Sequence, residues 1–290
     1  MTTLTEIFQH ARSTQDPDTA FRSGARELDA LLGPRGLGRQ HVVEISGPPG
    51  SGKTTVGLQL SLDALRRGHR VLWMSTTNHP LPVARMEAMP HFRPLLLHNM
   101  FHIRLDTVAQ FLSIVQTGAA LPADVALVVV DGVDGLLEQS THDRRQWKAH
   151  ATDAVFDLLH RLAVHRDAAV LMLNNMKTTG GGASAATLIP GLEYGLWDKK
   201  YAAALSRLVL YRDVGPADDD VLLLRPINSR LSAAALCLSQ HGIADAQNHA
   251  SPHIPSKRGS PSDKGPDPVN KRSKNVVSDS ENDDQEIALL

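Results

Sequence analysis

Apolar positions change period along this chain, and the changes mark out alternating strands and helices. His41-Val42-Val43-Glu44-Ile45-Ser46 reads as a strand. Residues 56–67 then read as a helix, with Val56, Leu60 and Ala64 on one stripe and Gly68 as its stop. Residues 70–74 form a second strand that runs into the polar stretch Ser75-Thr76-Thr77-Asn78. Leu105, Val108, Phe111, Leu112 and Val115 mark an amphipathic helix closed by Gly118. The unbroken apolar run at 126–131 is what a central parallel strand needs, since both of its faces are buried. A helix over 152–165 (Val155, Leu158, Leu159, Leu162) and a buried strand over 168–173 follow, the latter ending in Asn174-Asn175. Strand-like runs return at 205–211 and 221–224. This alternation predicts an α/β fold with a doubly wound, mainly parallel sheet.

Between these elements the pattern fades. Residues 27–33 read as a short helix ended by glycine, and the proline-interrupted stretch 79–94 as mostly loop. Residues 177–191 are poor in apolar side chains and contain Gly180-Gly181-Gly182, so mobility is expected there. From Gln247 onward the chain turns to Ser, Pro, Lys, Asp and Asn, which cannot bury enough surface to offset ordering entropy, so a disordered tail is expected. The predicted organisation is a short lead (1–20), one folded domain (21–245) and the tail (246–290). No internal repeat is apparent.

Composition narrows the class. Apolar residues make up 42% of the chain, enough for a real core. The opening residues lack a charged n-region and an apolar h-region, and no apolar run approaches the roughly 18 residues of a membrane span. With the single cysteine, Cys237, these features predict a soluble intracellular protein with no membrane partner. Of 30 Lys/Arg and 31 Asp/Glu, residues 246–290 hold six and seven, which leaves 24 of each in the preceding part. That part is formally neutral, so any contact with nucleic acid must be local or shared with a partner.

The sharpest chemistry is Gly47-Pro48-Pro49-Gly50-Ser51-Gly52-Lys53-Thr54, followed by Thr55. It fits the phosphate-binding pattern G-x-x-x-x-G-K-[ST], and it lies between a strand and a helix as that mechanism requires. The glycines let backbone N–H groups turn toward phosphate oxygens. Lys53 supplies a positive charge for β- and γ-phosphates, Thr54 a hydroxyl for Mg²⁺, and the following helix its positive end. Asp131 ends the 126–131 strand where ligands bind in open α/β sheets, and is the expected second anchor for Mg²⁺. The expected cofactors are therefore ATP and Mg²⁺.

An ordered series of further residues resembles the RecA-type recombinase superfamily, in its eukaryotic paralogue branch. It comprises Phe21-x-Ser23-Gly24, Leu28-Asp29-x-Leu31-Leu32-Gly33, Val43-Glu44-Ile45-x-Gly47 and Val128-Val129-Val130-Asp131. It continues with Leu173-Asn174-Asn175, where the family often has Thr-Asn-Gln. It closes with Gly191 and Trp197 ahead of Ser206-Arg207-Leu208, and with His241-Gly242-Ile243. The resemblance covers about residues 21–245 and implies a RecA-like P-loop ATPase core. It implies a nuclear protein of homologous recombination and double-strand-break repair, one that supports recombinase filament assembly on single-stranded DNA. Its implied partners are other recombinase paralogues and the main recombinase, with DNA facing residues 138–147, which include Arg144 and Arg145, and residues 177–191. A solvated helix start is an equal reading of those two arginines.

Departures from the family pattern refine this. The glutamate that activates water in hydrolysing members aligns with Thr77, and a threonine is no general base near neutral pH. Asn175 stands where the family has a glutamine that senses the γ-phosphate. Only about 20 residues precede Phe21, so the recombinase's N-terminal helical domain is expected to be missing. Together these predict weak ATPase activity and an assisting role. A P-loop kinase or other metabolic ATPase, and a scaffold with a purely structural nucleotide site, are the competing readings; neither an acceptor site nor an arginine-rich lid is apparent for the kinase. His98 and His102 have i, i+4 spacing that would suit one helix face, but spacing places no third metal ligand beside them. In the tail, Lys257-Arg258 and Lys271-Arg272-Ser273-Lys274 are 12 residues apart and resemble a bipartite signal for a nuclear import receptor, over 257–274. Ser278 and Ser280 precede acids and fit acidic-directed kinase sites.

Overall fold

The apolar runs become the middle of a nine-stranded sheet. In this computed structural model the described residues are 20–76, 81–118, 121–138, 145–179, 187–192, 205–214, 220–227 and 233–246. All lie in the first of two units of the chain, Met1–Ser251; the second, Pro252–Leu290, which holds the import and kinase motifs, is outside them. The strands are β1 (Val42–Ser46), β2 (Arg70–Thr76), β3 (Met100–Leu105), β4 (Val125–Asp131), β5 (Ala169–Asn174), β6 (Met176–Thr179), β7 (Thr187–Pro190), β8 (Leu205–Val214), β9 (Asp220–Pro226), β10 (Ala234–Ser239) and β11 (Gly242–Asp245). The large sheet runs β11-β10-β9-β8-β1-β5-β4-β2-β3, and β6 and β7 form a separate pair. From β8 across to β3 every neighbour is parallel, whereas β9, β10 and β11 add on in antiparallel fashion. The expected α/β class with a mainly parallel sheet is what the chain adopts.

Strand alternation sends side chains to two faces, and helices cover both. On one face Val43, Ile45, Val71, Trp73, Val129 and Leu171 pack under α1 (Arg26–Leu32) and α2 (Lys53–Arg66). On the other, Val42, Leu72, Met74, Val128, Val130 and Met172 share a core with helices later in the chain. Those are α4 (Val108–Thr117) and α6 (Arg145–His165), which contribute Phe111, Phe156 and Leu159. That is the double winding a parallel sheet requires. Helix α4 starts at Thr107, whose hydroxyl accepts from the Gln110 N–H, and stops at Gly118 with φ 63°. No helix among the described residues is long and apolar enough to cross a membrane.

The structure corrects several expectations. Residues 79–94 are not simply loop: α3 (Val83–Glu87) forms there, and a 3₁₀ helix follows at Pro94–Asn99. Strand β3 leaves no apolar run in the sequence, because it is an edge strand with one mostly solvated face. This places His98 in the 3₁₀ helix and His102 in β3, so the two share no helix face. Leu105 ends β3 and does not belong to α4. Helix α2 begins at Lys53, three residues earlier than its apolar stripe, and β2 extends through Ser75 and Thr76. Helix α6 begins at Arg145, seven residues ahead of the expected start at 152, because residues 147–151 are at most partly buried and so carry little apolar pattern. Part of the stretch expected to be mobile is an antiparallel hairpin, with Met176–Thr179 paired to Thr187–Pro190; its link, 180–186, lies outside the described residues.

Candidate phosphate-binding site

Strand β1 delivers the chain at Ser46 to the sheet's C-terminal edge, and α2 departs from it at Lys53. The intervening turn is possible because Gly50 and Gly52 adopt φ 77° and 92°, a region that disfavours any side chain. Gly47 is needed for a different reason: a side chain there would run into the Leu210 carbonyl oxygen of neighbouring β8. Its N–H donates to the Asn174 carbonyl at the end of β5 (3.1 Å), which ties the loop to the strand beside it.

Lys53 is only 8% exposed, and its Nζ donates to the carbonyl oxygens of Gly47 (2.7 Å) and Pro48 (3.0 Å). Burial lowers the pKa of its ammonium, and the carboxylates of Asp131 and Asp134 pull it back up. The Thr54 hydroxyl donates to Asp131 Oδ2 at 3.3 Å across 77 residues of sequence. Helix α2 and strand β4 therefore bring the two expected Mg²⁺ ligands to one point. Both donors are oxygens, which suits a hard divalent cation that also binds phosphate. Ser51 Oγ is buried with no hydrogen-bond partner among the described residues. Among those residues no group of three or more His, Cys, Asp or Glu could hold a metal.

Around this pair lies a polar network that sequence reasoning missed. Asp134, in α5 (Val133–Glu138), is 4% exposed, and its Oδ2 accepts from the Asn175 N–H (3.0 Å). Burial pushes the Asp134 carboxyl up, against the N–H donors of Asn175 and Gly135. The Asn174 amide lies between two carboxylates. In one orientation its nitrogen donates to Glu44 Oε1 (3.4 Å), in the other to Asp134 Oδ1 (3.2 Å). Glu44 is fully buried in β1, and Arg207 beside it in β8 donates from Nε to Oε2 (2.7 Å) and from Nη2 to Oε1 (3.3 Å). Arg207 Nη2 also donates to the Leu192 carbonyl (3.0 Å), just beyond the β6–β7 hairpin. The readable signal was a charge inside an apolar run, at Glu44 and again at Arg207.

Other predicted residues stand as follows. Asn175 joins the network at Asp134, directly before the hairpin. Of residues 138–147, Glu138 ends α5 and Arg145 to Trp147 open α6, while 139–144, with Arg144, are outside the described residues. Thr77 and Trp197 are outside them too. Cys237 is exposed on β10.

Comparison with known proteins gives several partial likenesses. Residues 35–86, which hold β1, the phosphate loop, α2 and β2, match the family described as Novel STAND NTPase 3. Over 69 residues the chain is 38% identical to the DNA repair protein rhp55 of Schizosaccharomyces pombe, covering 24% of this chain and 19% of that protein. Over 130 residues it is 31% identical to the DNA repair protein recA homolog 3, mitochondrial, of Arabidopsis thaliana, covering 45% and 29%. Over 187 residues it is 27% identical to Protein RecA of Nitratiruptor sp., covering 58% and 53%. The chain thus spans between 19% and 53% of the lengths of these three relatives. At this modest identity the chain is similar to proteins named RecA and to a eukaryotic DNA repair protein.

Proposed function

We propose that this chain binds Mg·ATP on the Gly47–Thr55 loop with Asp131, and acts as a recombinase paralogue in homologous recombination and double-strand-break repair. The observation that carries the nucleotide reading is the Thr54–Asp131 contact beside the buried Lys53, which gathers a hydroxyl, a carboxylate and an ammonium at a helix N-terminus. The repair reading draws support from the names of the relatives, two of which are DNA repair proteins. On this reading residues 21–245 form the ATP-binding domain, and its turnover is slow because Thr77 cannot activate water. The chain supports recombinase filaments on single-stranded DNA with other paralogues and the main recombinase, and residues 138–147 and 177–191 contact the DNA. It works in the nucleus, reached through an import receptor that binds 257–274 of the tail.

The deciding experiment is equilibrium binding of ATP with Mg²⁺ to wild type and Lys53→Ala. Loss of charge-assisted contacts worth about 1.5–3 kcal/mol weakens affinity roughly ten- to a hundredfold. Equal affinities would overturn the nucleotide reading. Copurification with identification of the bound proteins tests the partners, and the absence of any recombinase or paralogue counts against the repair role.

A further inference from the structure

We infer that the far end of α2 carries a docking site for an acidic peptide segment of a partner protein, one with an apolar side chain at its centre. The inference does not depend on the nucleotide reading above.

A cavity of about 560 Å³ opens there, between the second half of α2, residues 22–24, residues 89–91 and the turn joining β10 to β11. Arg66 ends the 14-residue helix that Lys53 begins, so the cavity lies about 20 Å from the phosphate loop. Its size is within the range of cavities that take a specific ligand. Hydrogen bonds between separate chain segments fix its walls. The Gln59 side chain bonds the main chain at Ser23 and Ile243, and His241 Nδ1 donates to the Ala88 carbonyl (3.2 Å). The Arg22 N–H donates to Asp63 Oδ2 (2.9 Å). At the rim His91 holds φ 67°, a conformation that a residue with a side chain keeps only where its surroundings enforce it. A cavity already built in this way costs an incoming ligand little in ordering.

The lining selects the occupant. Leu62, Met89 and Ile243 supply an apolar surface that suits one aliphatic or aromatic side chain. The same lining holds Arg22, Arg66 and Arg67 against a single carboxylate, Asp63. Asp63 is already matched by Arg67 at 2.6 Å. That leaves the exposed Arg22 and Arg66 with no salt bridge among the described residues. Two uncommitted guanidinium groups beside an apolar surface are complementary to carboxylates flanking an apolar residue. A nucleic-acid strand fits less well. The lining has no Phe, Tyr or Trp on which bases could stack, and Asp63 repels phosphate.

The test uses the full chain and four fluorescein-labelled peptides, Glu-Asp-Leu-Asp-Glu, Glu-Asp-Phe-Asp-Glu, Glu-Asp-Ser-Asp-Glu and Lys-Lys-Leu-Lys-Lys, read by anisotropy. Wild type should bind the leucine or phenylalanine acidic peptide at least about tenfold more tightly than the serine or lysine peptide. Amide shifts on binding should be confined to the segments that line the cavity. Arg22→Glu combined with Arg66→Glu should weaken binding at least about tenfold. Arg161→Glu combined with Arg166→Glu, the same charge change at two exposed positions that do not line the cavity, should alter it less than about threefold. If the reversed chain does not fold, Arg22→Gln combined with Arg66→Gln decides in its place, with a loss in the same direction. Equal or absent binding of all four peptides would overturn the inference, as would unchanged affinity in the cavity variants. So would an oligothymidylate that occupies the cavity in place of peptide, which would make it a nucleic-acid site.

Discussion

Replacing Arg207 with alanine should destabilise this fold more than any surface change. Glu44 has no exposed surface, the Arg207 side chain is 10% exposed, and the two are register partners on β1 and β8. The substitution deletes two charge-assisted bonds to Glu44, at 2.7 and 3.3 Å, and the bond to the Leu192 carbonyl at 3.0 Å. The Ser46 hydroxyl, which donates to Oε1 at 2.9 Å, stays in place but carries no charge. Stranding one member of a buried ion pair costs about 3–5 kcal/mol. Total stabilities are about 5–15 kcal/mol, so about a fifth or more is at stake. Urea unfolding followed by circular dichroism reads this directly. With a slope of about 2 kcal/mol/M, the midpoint should drop by about 1.5–2.5 M. Removing both charges together, with Glu44→Leu and Arg207→Met, should recover most of that loss, because the pair itself contributes little beyond its own desolvation. A loss below about 1 kcal/mol in Arg207→Ala, or a double variant no more stable than the single one, would refute the reasoning.

Other consequences can be checked alongside. The Gln59 side chain on α2 clamps the main chain at both ends of the domain, donating to the carbonyls of Ser23 (3.0 Å) and Ile243 (2.9 Å) and accepting from the Ile243 N–H (2.9 Å). Gln59→Ala should therefore cost about 1–3 kcal/mol and speed amide exchange at Ile243; unchanged exchange there argues against the clamp. Asp134 binds its proton more tightly in the folded chain than the ordinary value of 3.8, so the fold loses stability as pH rises from 3.8 through the folded pKa. The penalty is complete above that pKa. Asp134→Asn should thus melt at a higher temperature than wild type near neutral pH, with the gap closing as pH falls toward 3.8; a lower Tm at neutral pH contradicts this. Changing the basic residues of Lys257-Arg258 and Lys271-Arg272-Ser273-Lys274 to alanine should leave ATP binding intact and reduce nuclear enrichment of a large fluorescent fusion. Equal enrichment would show that the import signal lies elsewhere.

What could be read from sequence follows from how each element is buried. Strands β4 and β5 are covered on both faces, so their residues form nearly unbroken apolar runs, and β1, equally buried, departs from such a run at Glu44 and Ser46. The phosphate loop and Asp131 were readable because rigid chemistry demands particular residues at particular spacings. Strands β3 and β10 were not, since each alternates between buried and exposed positions and mixes His102, Arg104 or Cys237 into the pattern. The hairpin of β6 and β7 packs as a separate pair outside the large sheet, so its residues carry little hydrophobic signal. The network around Asp134 was hidden for another reason: its members come from β1, β4–α5, β5 and β8, and only the fold assembles them. One part of it could still have been anticipated. A carboxylate in the middle of a doubly covered strand is affordable only with a cation within hydrogen-bond reach. Glu44 sits in such a strand, and Arg207 is an arginine within a predicted strand run. Pairing them forces β8 next to β1, which is the observed order and is not apparent from sequence neighbours. A buried charge is therefore a statement about topology as well as stability, because it names the strand that must lie alongside.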